Sequence, residues 1–151
     1  MAPFTIARST RINAPAERIH GLINDFHHWQ QWSPWEGLDA NLKRTYTGPD
    51  AGVGTRYAWS GNKEAGEGSM EITRSTPEAV DVDLRFTKPW KAHNQVTLAL
   101  TPAGDATDVT WTMHGENKGV AAVFAKLFNM DKMLGKDFDK GLAQLKTAAE
   151  A

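Results

Sequence analysis

The spacing of apolar residues changes character twice along the chain and divides it into three stretches. Phe4, Ile6 and Ile12 share a parity, with Arg8 and Thr10 between them, which predicts an opening strand over Phe4–Ile12. Asn13-Ala14-Pro15 then has the chemistry of a helix start, with Asn13 near the cap and Pro15 in the first turn. Ile19, Leu22, Ile23 and Phe26 follow at helical spacing, so a short amphipathic helix is expected over residues 15–26. Trp29, Trp32 and Trp35 mark a second short helix or turn; Pro34 disfavours helix at Ser33 and ends it.

From residue 42 to 114 the pattern becomes short alternating runs split by turn signals. Gly48-Pro49-Asp50, Gly52 and Gly54 precede Thr55–Ser60, and a loop opened by Gly61-Asn62 leads to Glu67–Arg74. Met70 and Ile72 share one face of that run, with Ser69, Glu71 and Thr73 on the other. Val80, Val82, Leu84 and Phe86 alternate with Asp81, Asp83 and Arg85, the clearest half-buried strand in the chain. Val96, Leu98 and Leu100 repeat the alternation, as do Val109, Trp111 and Met113, and Pro102-Ala103-Gly104-Asp105 turns the chain between them. This regular spacing predicts six antiparallel strands in a meander. The third stretch is one long amphipathic helix over residues 118–147, with Phe124, Leu127, Phe128, Leu134, Phe138, Leu142 and Leu145 on its apolar side. The expected fold class is α+β: a curved antiparallel sheet whose apolar face meets the final helix, leaving room for a ligand between them.

Composition narrows the function classes. A chain of 151 residues fits a single domain, 1–151, and its 40% hydrophobic and 23% charged residues suit a folded soluble protein. The absence of cysteine excludes disulfides, thiolate zinc and a cysteine nucleophile. A net charge of -1 argues against nucleic acid as the main partner. No run approaches a membrane span, and the first residues lack the apolar core of a signal peptide, so a cytoplasmic protein is expected. His27 and His28 are adjacent and face different ways, and no metal-binding histidine spacing occurs, so neither metal nor cofactor is expected.

Several short motifs, in order, resemble the START-like, birch-pollen-allergen-like superfamily, in its polyketide cyclase/dehydrase and lipid-transport branch. They are Ile12-Asn13-Ala14-Pro15-Ala16-Glu17 leading to Asp25, Trp32-Ser33-Pro34-Trp35, Gly52-Val53-Gly54 with Tyr57-Ala58-Trp59-Ser60-Gly61, Gly66-Glu67-Gly68-Ser69-Met70, Val109-Thr110-Trp111 and the series from Met130-Asp131 to Gly141-Leu142. The resemblance implies the helix-grip fold, seven strands around the C-terminal helix. It leaves activity open, since members bind lipids, sterols, hormones or polyketides and only some transform them.

Six tryptophans beside two tyrosines are the strongest functional hint, because indoles offer wide apolar faces and one N–H donor. Parity places Tyr57, Trp59, Met70, Ile72, Leu84, Phe86, Val96, Leu98, Trp111 and Met113 on the inner face, with Trp32, Trp35, Phe124 and Phe128 around them. Arg8, Thr10, Arg74 and Asn94 fall on the same parity as apolar neighbours, where an inward polar group needs a partner. The ligand-binding set expected from this pattern is the fourteen aromatic and aliphatic residues just named plus Arg74 and Asn94, and the expected partner is a small hydrophobic or aromatic ligand. Two other readings stay open at this level: a cyclase or dehydratase using Glu67, Arg74 or Tyr57 for acid/base help, and an interaction module resembling chaperone ATPase activators.

Overall fold

The computed structural model describes residues 2–34, 41–62, 66–88, 91–117 and 130–151. Its strands pair in chain order with one exception. β2 (Lys43–Thr47), β3 (Arg56–Ser60), β4 (Glu67–Thr76), β5 (Ala79–Lys88), β6 (Ala92–Ala103) and β7 (Ala106–Asn117) form an antiparallel meander, and β1 (Ala2–Ile12) closes onto the far side of β7. The result is one curved seven-stranded sheet with β1 and β2 at its edges. Between β1 and β2 come α1 (Ala16–Ile23) and a 3₁₀ segment, Phe26–Gln31; α2 (Met130–Glu150) follows the sheet and packs chiefly on β1. This is the α+β arrangement that the alternation and the final helical period predict, and it matches the seven-stranded helix-grip fold that the resemblance implies. The stretch 118–129, with Phe124, Leu127 and Phe128, lies outside the described residues, as do Trp35, Glu64 and Trp90.

The first helix is shorter than its apolar spacing suggests, and the caps explain why. The α1 helix ends at Ile23, Asn24 serves as its C-cap, and the Asp25 side chain accepts the His27 N–H to start the 3₁₀ turn. Phe26 therefore belongs to the second element, because a carboxylate cap at position 25 competes with continued helix. Asn13 makes no cap either: Pro15 occupies the N-cap, and the Asn13 N–H donates to Glu150 Oε2 at 2.8 Å.

The core is strongly aromatic. Trp32, Phe26 and Trp111 are essentially unexposed, and Phe138 of α2 stacks on Trp111 with ring centres 4.3 Å apart and planes 5° from parallel. Trp32 meets Trp111 edge-on at 5.5 Å and Trp29 at 4.5 Å. Each such contact adds about 0.5–1.5 kcal/mol beyond simple burial. Two of these indole N–H groups are hydrogen-bonded, Trp29 donating to the Ile23 carbonyl at 2.7 Å and Trp32 to that of Leu22 at 2.9 Å. Gly141 makes the close docking of α2 feasible: a Cβ there would stand 2.7 Å from Trp111 Cζ3 and 2.8 Å from Pro34 Cδ.

Candidate functional site: the concave face of the sheet

Strand alternation and register place side chains on the concave face in rows across the sheet. One row runs Trp111, Leu98, Val80; the next runs Ile6, Met113, Val96, Val82, Ile72. All of these are sealed, with Leu98, Val80 and Ile72 at 0% exposure. The following row runs Gly115, Asn94, Leu84, Met70, Tyr57, Tyr46, and beyond it Phe86, Gly68 and Trp59 lie side by side. Here burial falls away: Tyr46, Trp59, Met70 and Phe86 pack against the core but remain half-exposed.

That half-open end is lined by aromatic rings in mutual contact. Trp59 stacks on Tyr57 with centres 6.0 Å apart and takes Phe86 edge-on at 5.8 Å. Tyr57 is in turn 5.2 Å from Tyr46 and 6.0 Å from Phe26. Gly68 gives Trp59 its place, since a Cβ on Gly68 would stand 2.6 Å from the indole Cη2. At the outer margin His27 stacks on Tyr46 at 3.9 Å, its Nδ1 held 2.8 Å from Asp25 Oδ1.

The residues expected at a ligand site separate into groups. Tyr57, Trp59, Met70, Leu84, Phe86 and Asn94 come together at the half-open end, while Val96, Leu98, Ile72, Trp111 and Met113 form the sealed floor behind it. Trp32 is a correction: it is wholly buried between Trp29 and Trp111 with its N–H satisfied, so it plugs the core rather than lining open space. Arg74 is a second correction. The β4–β5 register shifts between Ile72 and Arg74, so Ile72 opposes Val82 while Arg74 opposes Asp81, leaving Thr73 as the extra residue of a bulge. The bulge turns Arg74 to the solvent side, where its Nε lies 2.8 Å from Asp81 Oδ2 with the side chain 58% exposed. Tyr46 was not legible as a site residue, because its strand, Lys43-Arg44-Thr45-Tyr46-Thr47, carries no apolar alternation to set its parity.

Charge concentrates on the convex face. A depression of about 310 Å³ there, lined by residues including Thr45, Arg56, Ser69, Glu71, Asp83 and Arg85, is neutralised by the pairs Arg56–Glu71 at 3.1 Å and Arg85–Asp83 at 3.4 Å. Glu67 also faces this side, near Lys88 Nζ at 3.8 Å and accepting from Thr87 Oγ1. The carboxyl groups held below their ordinary range are on exposed pairs: Asp108 by its hydrogen bond from Arg11, and Glu150 by hydrogen bonds from Lys146 and the Asn13 N–H. No group of three or more His, Cys, Asp or Glu among the described residues could hold a metal ion, and no described helix is long and apolar enough to cross a membrane.

The polyketide cyclase/dehydrase and lipid transport family matches residues 3–150. The chain belongs to that family. Solved structures agree on the cyclase/dehydrase-type fold. Protein CV1439 from Chromobacterium violaceum is 17% identical with a TM-score of 0.70, over 97% of both chains. Aha1 from Colwellia psychrerythraea, solved as a dimer, is 19% identical with a TM-score of 0.66, over 97% of this chain and 96% of that one. DynU16, from the dynemicin biosynthetic locus, is 15% identical with a TM-score of 0.65, over 97% of this chain and 47% of its own. At these identities the likeness is one of fold. No curated protein matches the sequence.

Proposed function

We propose that this member of the cyclase/dehydrase and lipid transport family binds a small hydrophobic or aromatic ligand, lipid- or polyketide-like, on the concave face between sheet and C-terminal helix. One observation carries the reading: the rings of Tyr46, Trp59 and Phe86, with Met70, stay half-open beside a buried Tyr57 and a floor that is otherwise sealed. Apolar area left in water costs about 25 cal/mol per Å², and a flat apolar ligand stacked on these rings recovers that cost. Binding is favoured over acid/base catalysis by where the titratable candidates point. Glu67 and Arg74 face solvent in ion pairs, so of the three acid/base candidates named from the sequence Tyr57 alone lies on the concave side.

The test is binding of a neutral apolar fluorophore such as phenyl-naphthylamine, followed by its own emission and by quenching of tryptophan. Micromolar, saturable binding that weakens several-fold in Trp59→Ala, with the fold retained, supports the reading. A wild-type protein that binds no such probe removes it.

A further inference from the structure

Asn94 is the one carboxamide among the described residues of the row that borders the half-open end. It is only 6% exposed, and it sits in register with Leu84 on β5 and Gly115 on β7. It shares its alternation with Val96, Leu98 and Leu100, so the carboxamide points to the concave side. No described residue hydrogen-bonds its side chain. The carboxamide is not among the fully sealed polar atoms, so its two donors and one acceptor stay accessible to a molecule on the concave side.

Gly115 makes room for this group. A Cβ on residue 115 would overlap Asn94 Oδ1, so the carboxamide occupies the space that a side chain on β7 would fill. The pairing of a glycine with an inward asparagine places a neutral donor–acceptor edge beside Leu84 and Met70, next to the aromatic rings.

Resting on the ligand-binding reading above, we infer that Asn94, seated against Gly115, hydrogen-bonds a neutral oxygen of the bound molecule, a carbonyl or a hydroxyl on an apolar or aromatic body. The flanking residues on β5 and β7 carry no charge. No described residue of that row is charged, which suits a neutral oxygen, while the next row brings Arg44 beside Trp59.

A matched pair of probes tests the assignment: a dimethylamino-naphthyl ethyl ketone and its deoxygenated propyl analogue, titrated by fluorescence against wild type, Asn94→Leu and Gly115→Ala. Asn94→Leu keeps volume and removes the polar edge; Gly115→Ala displaces the carboxamide and leaves it intact. Each variant is expected to weaken the ketone about three- to tenfold, the worth of one hydrogen bond, and to leave the deoxygenated probe within twofold. Ketone emission should also shift to the blue in both variants as the carbonyl loses its donor. Equal losses for the two probes, or no loss for either, overturn the role of Asn94 while the cavity reading stands. Wild type binding neither probe overturns the cavity reading and this inference together. Melting temperatures taken alongside identify a variant that has lost its fold, in which case the other variant decides.

Discussion

A methyl group on Gly68 would stand 2.6 Å from Cη2 of Trp59, so the widest aromatic surface at the half-open end rests where β4 has no side chain. The same methyl would also run into the Arg85 carbonyl across the ladder. Gly68→Ala is therefore expected to cost about 1–3 kcal/mol, as overpacking does. The urea midpoint should fall while tryptophan emission shifts, because the indole must move. A variant as stable as wild type with unchanged emission contradicts the packing described.

Two helix glycines should respond to alanine with opposite signs. Gly21 lies on α1 with nothing within 4 Å of a built Cβ, so Gly21→Ala is expected to stabilise by about 0.5–1 kcal/mol through helix propensity. Gly141→Ala gains the same propensity but drives a methyl into Trp111 and Pro34, and the clash outweighs it. Melting temperatures of the two variants should move in opposite directions.

Removing Phe138 takes away the ring that stacks on Trp111 at the heart of the sheet–helix contact. With Phe138 at 0% exposure, Phe138→Ala is expected to cost about 3–5 kcal/mol. Near-ultraviolet circular dichroism should lose part of its tryptophan signal in the same variant.

Arg74→Ala should leave both stability and probe affinity nearly unchanged. Its ion pair with Asp81 is solvent-exposed, and such pairs contribute about 0–1 kcal/mol. A marked loss of probe affinity in this variant would return Arg74 to the site.

Acid should weaken the fold through two carboxylates. Asp108 and Glu150 are held below their ordinary values of 3.8 and 4.5, the first by Arg11 and the second by Lys146 with the Asn13 N–H. Depressed carboxylates stabilise the folded chain above their unfolded values, and that contribution disappears as pH falls through the folded ones. Urea midpoints should thus be flat near neutrality and decline below pH 4.5. Both pairs are exposed, so added salt should flatten the slope. The double variant Asp108→Asn, Glu150→Gln should flatten it as well.

The parts of the fold that were legible are those where one period runs unbroken. Val80, Val82 and Leu84 alternate in the sequence and are buried in the structure, with Phe86 half-buried at the end of the same series. Arg74 was misread because the bulge at Thr73 has no glycine or proline to announce it, and one extra residue exchanges inside for outside. The end of α1 was obscured for a similar reason, since Phe26 keeps helical spacing across a cap that ends the helix. Trp32 shows the limit for the site: spacing establishes that an indole turns inward, but only its neighbours decide whether it meets a ligand or another tryptophan.

The closure of β1 onto β7 also sets the order in which the protein can be made. Ile6 pairs with Met113 and Ile12 with Thr107, so the first described strand has no partner until some hundred residues more have been synthesised. The meander from β2 to β6 can assemble while the chain is still emerging, because its pairings are between neighbours. Contacts between distant segments form late and slowly, and a strand waiting for one is open to wrong partners. Since α2 docks chiefly on β1, the edge strand and the final helix find their places in the same late step. A nascent chain on the ribosome therefore carries the aromatic surface of Tyr57, Trp59 and Phe86 before its first strand and last helix can meet.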